Sequence, residues 1–238
     1  GGATWKPGLR IREVAPGERG LVTVESRDAW ERNLLDIPLD LAFSAEECRA
    51  NASSFVMRLQ ARLRGSLGQS HALLHLCFLE HFLFLGEASK FTAFFRAMPR
   101  NLSHLPLLTS MNLTSLLAGS PLLADVLKHR RDLESLYDEV AWDLKDFGRS
   151  VSLDDFLLTY CLVESHSHAR HDGNDTLPLM VPLIDLVNHR SQSPSLELGR
   201  PTDGAGRLQA HLWRGGAAAG EQLFFRYSVV DEASEKFL

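Results

Sequence analysis

Pro182-Leu183-Ile184-Asp185-Leu186-Val187-Asn188-His189 carries the strongest functional signal in this chain. Four apolar residues, Leu183, Ile184, Leu186 and Val187, surround one carboxylate, and an Asn-His pair follows at once. Apolar residues of this kind hold a backbone in a core. The polar side chains beside them are costly to bury unless each has a partner. Taken alone, the segment reads as a core-edge strand with a satisfied polar end. The chain on either side points to a use for those polar groups.

Upstream, Ser152 with Asp155 is a capping-box pattern, and Phe156, Leu157, Tyr160, Leu162 and Val163 continue it as an amphipathic helix ending near Ser165. His166 to Thr176 is polar and reads as a solvated loop with a Gly173-Asn174 turn, and Leu177 to Val187 is apolar. His166, His168, His171 and Asp172 lack the spacing that sets two ligands on one helical face, so no metal is expected there. Downstream, Gly199 to Gly206 reads as a loop, and Leu208 to Trp213 and Gln222 to Tyr227 as strands joined by a turn over 215–221. Gly204-Ala205-Gly206 is followed by a strand pattern rather than a helix, which excludes a dinucleotide loop.

Residues 44 to 150 are helical in character. Ser44 with Glu47 predicts a helix running to about Leu63, broken by Gly65-Ser66-Leu67-Gly68. Leu73 to Leu85 is apolar nearly all round, as a buried helix is, and Phe91, Phe94 and Phe95 fit a further short helical face. Ser120-Pro121 opens a helix that Gly148 closes. Residues 1 to 43 read as strands and turns: Leu9 to Val14, Leu21 to Val24 and Leu34 to Pro38, with a glycine-flanked turn over 15–20.

Of the 238 residues 45% are hydrophobic and 23% charged, which suits a soluble globular chain with a sizeable core. A net charge of -5 argues against a general nucleic-acid binder. The longest greasy run contains His75, Glu80 and His81 and is too short and polar to span a membrane. Cys48, Cys77 and Cys161 are far apart with no paired spacing, which fits a reducing, intracellular location, cytoplasmic, nuclear or plastid. The sequons at Asn51, Asn101, Asn112 and Asn174 are read as turn and cap chemistry.

Taken together, these segments resemble the SET-domain methyltransferases of the subgroup that includes the Rubisco large-subunit lysine methyltransferase and the actin-histidine methyltransferase. Gly17-Glu18-Arg19-Gly20-Leu21-Val22 looks like that family's first cofactor loop, and Leu34 to Pro38 like its second strand. Ser152 to Ser165 looks like the helix before the active site, Pro182 to His189 like the Pro-Leu-x-Asp-x-x-Asn-His segment, and Gly220 to Tyr227 like the Gly-Glu-Gln-x-x-x-x-Tyr strand. The resemblance implies an α+β SET-domain fold of short strands and turns, with a first part over 1–43, a helical insert over 44–150 and a second part over 151–238.

It also implies S-adenosylmethionine as cofactor and a protein lysine, or a histidine, as methyl acceptor. Arg19, Gly20 and Leu21 would meet the cofactor through backbone groups, with His166, Asn188 and His189 completing that side. Tyr227 would be catalytic, lining the transfer channel, and Ser165 and Asp185 would shape the substrate side. A lysine amine, with an ordinary pKa near ~10.4, must lose its proton first, and a dry apolar channel favours that loss. The chain departs from the family at His166, where the family has Arg, and at Ala233, where it has Asn. The family's Tyr-Gly-Phe segment would fall after Leu238, so a member truncated at its C-terminus is expected. The alternative implied by these departures is a catalytically inactive SET-fold module, most simply a monomer, that binds a protein partner.

Overall fold

The structure, a computed structural model, describes residues 2–51, 53–63, 69–109, 115, 117–146, 148–172, 175–190, 195–199, 206–213 and 215–225. The strands are β1 (Thr4–Trp5), β2 (Leu9–Ala15), β3 (Glu18–Thr23), β4 (Leu35–Pro38), β5 (Phe43–Ser44), β6 (Ser167–Asp172), β7 (Asp175–Met180), β8 (Ser195–Gly199), β9 (Arg207–Trp213) and β10 (Gln222–Phe225). The helices are α1 (Ala45–Asn51), α2 (Ser54–Leu63), α3 (Gln69–Leu79), α4 (Thr92–Ala97), α5 (Leu122–Asp146) and α6 (Leu153–His166). The chain divides into two units, one of Gly1–Ala42 with Met180–Leu238 and one of Phe43–Leu179.

The first unit is built on a sheet whose described strands run in the order β1-β4-β9-β8-β10-β3-β2. Neighbours are antiparallel except β8 and β10, which run parallel. β3 lies inside the sheet and buries Gly20 through Thr23, whereas β2, at the edge, buries only Leu9. This is why Leu21 to Val24 reads as a continuous apolar run and Leu9 to Val14 as an alternating one. The β2–β3 turn is held by Glu13, whose Oε1 accepts from the Gly17 N–H at 2.8 Å. The sheet's buried face carries Leu21, Leu35, Ile37, Leu208, Ala210, Leu212 and Leu223.

The second unit is mostly helical, with a small sheet ordered β5-β7-β6. The expected single helix from Ser44 to about Leu63 is two helices. Ser44 Oγ caps the first by accepting from Glu47 N at 3.1 Å, and Ser53 Oγ starts the second by accepting from Val56 N at 3.2 Å. A second capping serine offers the backbone a new start, and the chain takes it. The buried Leu73–Leu85 run is also divided: α3 gives way to a π-helical turn over Glu80–Leu85. Glu80 is buried there, accepting from Arg149 Nη1 and Ser53 Oγ at 3.0 Å each. The Arg149 guanidinium in turn lies 4.6 Å over the Phe84 ring and 5.2 Å over Phe55. Phe43 packs edge-on against Phe78, Phe91 and Phe95 in an aromatic cluster of the core.

Ser120 caps α5, whose C-terminus Gly148 closes with its N–H on Lys145 O at 2.9 Å. Ser152 caps α6, its Oγ accepting from Asp155 N at 3.0 Å while donating to Asp155 Oδ2 at 2.7 Å. The polar run from His166 to Thr176, expected as a solvated loop, holds the end of α6, all of β6 and the first two residues of β7 among the described residues. Its predicted Gly173-Asn174 turn lies outside the described residues, as do the breaker 65–68 and the sequons at Asn112 and Asn174. Of the loop expected over Gly199 to Gly206, Gly199 is the last residue of β8 and residues 200–205 lie outside the described residues. Asn101 Oδ1 accepts from Ser103 N at 2.9 Å, the turn chemistry read from its sequon.

Candidate functional site

The Pro182–His189 segment is not a core-edge strand. Ile184–Leu186 is a single 3-10 turn, entered through Leu183 at φ 74° and held by Asp185 N on Val181 O at 3.1 Å and Val187 N on Ile184 O at 2.9 Å. Ile184 and Val187 are fully buried and anchor the turn. A leucine at positive φ carries strain on the order of 1 kcal/mol or more. Here that conformation places Leu183 in a small apolar cleft with Trp5, Ile11 and Leu21. Past Val187 the chain straightens and pairs with β10 in parallel: Phe225 N donates to Asn188 O at 2.9 Å and Arg190 N to Phe225 O at 3.0 Å.

This pairing aims the Asn188 side chain at the start of β3. Its Nδ2 donates to Glu18 Oε1 at 2.9 Å and to Arg19 O at 3.2 Å, across 170 and 169 residues of sequence. The Gly-Glu-Gln run supports the same loop from the other side. Gly220 N bonds to Thr23 O at 2.7 Å, Glu221 Oε2 accepts from Ala218 N at 2.8 Å to close the turn, and Gln222 pairs with Val22. The Gln222 side chain lies directly on Gly20. A Cβ there would stand 2.4 Å from Gln222 Nε2 and 2.9 Å from its Cδ, so any larger residue would have to push the Gln222 side chain off this position. Gln222 Nε2 is buried and meets no hydrogen-bond partner among the described residues. A buried donor of this kind is ordinarily satisfied by a water or a ligand.

Burial raises the Asp185 pKa to about 7, against the pull of its own backbone N–H, the Arg19 guanidinium, and the N–H groups of Leu183 and Leu186. His189 is exposed and stands opposite Phe225 in a parallel bridge whose bonds are made by the backbone of its neighbours Asn188 and Arg190. Arg19, Gly20, Leu21, Asp185, Asn188 and His189 all lie on the first unit. Ser165 and His166 end α6 in the second unit. Ser165 Oγ donates to Cys161 O at 2.6 Å, and burial lowers the His166 pKa. Tyr227 and Ala233 lie outside the described residues. Among the described residues no three His, Cys, Asp or Glu side chains are grouped as a metal site.

No protein-family model matches the chain, and no curated protein does. Solved structures do. The SET domain of LSMT bound to lysine and AdoHcy superposes with a TM-score of 0.74 at 19% identity, covering 95% of this chain and 50% of that one. Rubisco LSMT bound to sinefungin and monomethyllysine gives 0.72 at 19% identity, covering 95% and 49%. The SET domain of LSMT bound to methyllysine and AdoHcy gives 0.73 at 20% identity, covering 95% and 50%. The fold is that of a SET domain. The chain spans about half the length of these solved chains.

Within this SET fold, two residues at the site went unassigned in the sequence. Glu18 and Gln222 both stand in motifs that were recognised, yet no role followed from their positions. Their contacts, with Asn188 and Gly20, join segments far apart in the chain. The one local signal was a polar Gln opening an otherwise apolar strand.

Proposed function

We propose that this chain is an S-adenosylmethionine-dependent protein N-methyltransferase whose acceptor is a lysine side chain. The observation that carries this reading is the Asn188 amide seated on Glu18 and Arg19 at the start of β3, on a fold shared with proteins solved with lysine and AdoHcy. The residues present fit such a cofactor. Its amino-acid end needs donors and acceptors of both charges, and Glu18, Arg19 and Asn188 supply them beside backbone groups of Gly20 and Leu21. The unpartnered Gln222 Nε2 beneath Gly20 is a further donor at the same loop. Asn188, Arg19 and the backbone of His189 would hold the cofactor, which when bound supplies an electrophilic methyl group.

The chain's own residues then have three tasks. The buried anchors Ile184 and Val187 hold the site's backbone rigid, which is what in-line transfer requires. Apolar walls favour the neutral acceptor amine. Tyr227 would orient that amine, and Ser165 and Asp185 would shape its approach. The three cysteines, all buried and free, support a reducing intracellular location.

One observation favours a second reading. Desolvation disfavours the charged form of half-buried His166, which makes it a weaker partner for a carboxylate than an Arg. That supports a SET-fold module that binds a protein partner without catalysis. Calorimetric titration with S-adenosylmethionine, followed by transfer of labelled methyl to lysine-containing protein, separates the two. The enzyme reading expects binding, with Asn188→Ala weakening it by more than ~1 kcal/mol, the order of one polar contact. Binding without transfer would favour the module, and an absence of heat at millimolar cofactor would remove the cofactor assignment.

A further inference from the structure

Helix α5 (Leu122–Asp146) is buried along one side and patterned along the other. Leu133, Leu136, Val140 and Leu144 are buried, and the helix packs on α2 and α6. On the opposite side every third or fourth residue from Ala124 to Lys145 is exposed, in the alternating steps of four and three that form the seam of two paired helices. A charged face of this kind is ordinarily left to water. Trp142 breaks that rule: it stands in the row at 68% exposed, the highest value of any large hydrophobic side chain among the described residues. Tryptophan is enriched where a partner buries the surface. The charges near it are sorted by sign. Lys128 and Arg131 lie in the N-terminal half of the row, Asp138 and its neighbour Glu139 in the C-terminal half, and the small Ser135 near the midpoint. Along the axis Lys128 and Trp142 each stand roughly 10 Å from Ser135, and Arg131 and Asp138 each about 5 Å.

We infer that this row is a self-association surface, on which α5 pairs antiparallel with α5 of a second copy of the chain. A two-fold interface must be self-complementary, because residue i of one copy meets residue j of the other and j meets i. Antiparallel pairing about Ser135 meets that demand. Arg131 faces Asp138 of the second copy, and Lys128 faces Glu139 and the ring of Trp142 of the second copy, a cation over an aromatic face. Every contact occurs twice. A parallel pair would instead set Arg131 on Arg131 and Asp138 on Asp138. The bonds these cations make within one copy compete only weakly. Lys128 Nζ donates to Asp132 Oδ2 at 2.7 Å and Arg131 Nε to Leu127 O at 3.1 Å, both on the exposed surface, where such contacts contribute little. The row is roughly 30 Å long, and a strip of that length buries less than the ~1,200 Å² of a tight interface, so the pair is weak and concentration-dependent.

Sedimentation velocity on the 238-residue chain, without ligand, reads the pairing directly. Between about 10 µM and about 1 mM the mean mass should climb toward that of a dimer, the range in which a small interface associates. Trp142→Ala, Arg131→Glu and Asp138→Arg should each weaken association roughly tenfold or more, since each removes or reverses a contact made twice. All three side chains are exposed, so melting temperatures should move little. The deciding sample is an equimolar mixture of Arg131→Glu and Asp138→Arg. The two reversed charges then face each other and the unreversed pair stays intact, so mixed dimers should form at concentrations where neither variant associates alone. A chain that remains monomeric throughout the range overturns the inference. Association that survives Trp142→Ala and both reversals lies on another surface and overturns it too. A mixture that stays monomeric while the parent chain pairs rules out the antiparallel arrangement, and the inference falls with it.

Discussion

Asp185→Asn makes the pH dependence of stability a direct report on the candidate site. Burial raises the Asp185 pKa from 3.8 to about 7, with the Arg19 guanidinium among the groups opposing the rise. A raised carboxyl pKa means that the folded chain holds the proton more tightly than the unfolded one. The stability tied to that proton is fully present below the unfolded value of 3.8 and is lost as pH rises through about 7. Each tenfold difference in proton affinity corresponds to ~1.4 kcal/mol, so the whole loss is about 4 kcal/mol at most. Asparagine matches the protonated carboxyl in shape and does not titrate. Urea unfolding of both proteins, without ligand, at pH 5, 6, 7 and 8 should show the variant gaining on the parent. The gain should approach ~1.4 kcal/mol for each step of one in pH up to about pH 7 and level off above it. All other groups titrate in both proteins and cancel. A difference that stays constant within ~0.5 kcal/mol from pH 5 to pH 8 would refute the burial of this carboxyl.

Two further perturbations test the fold around and beyond the site. Gly20→Ala sets a Cβ 2.4 Å from Gln222 Nε2 and should cost ~1–3 kcal/mol in thermal or urea melts, with Gln222→Ala on the same chain restoring most of it. Arg149→Ala removes the partner of the buried Glu80 carboxylate and should cost ~3–5 kcal/mol, whereas Arg149→Met combined with Glu80→Gln should be far milder, a comparison that urea unfolding makes directly.

What could be read ahead of the structure depended on how local its physics was. Capping serines at positions 44, 120 and 152 announce helix starts because the bond they make spans two or three residues. The strand run at Leu21 and the alternation at Leu9 differ because one strand is interior and one is an edge, a difference that patterning records. The misread segments had another cause. Ser53 restarts a helix inside a stretch whose apolar spacing continues unbroken. Within the polar His166–Thr176 run, Ser167–Asp172 and the start of Asp175–Met180 are strands because β7 lies between β5 and β6 in a sheet, while the composition argues for a loop. Pro182–His189 has a strand's composition, but its buried Ile184 and Val187 are anchors of a 3-10 turn. The Asn-His and Gly-Glu-Gln motifs were legible by resemblance. The Glu18 and Gln222 contacts were not, because each depends on a meeting of chain segments some 170 to 200 residues apart.

That meeting is itself set by register. In β10, Leu223 and Phe225 are buried while Gln222 and Phe224 are half exposed, an alternation that fixes which face of the strand turns inward. The pairing of Leu223 with Leu21 and of Gln222 with Val22 follows, and it lays the Gln222 side chain on Gly20. It also sets the Phe225 backbone where Asn188 and Arg190 bond to it. A slip of one residue would turn Leu223 outward, move Gln222 off the glycine and displace the carbonyl that holds Arg190. Asn188 would then lose the line that brings its amide to Glu18 and Arg19. The apolar alternation that builds the sheet core and the polar groups at the loop are therefore one specification: the core residues choose the register, and the register places the donors and acceptors.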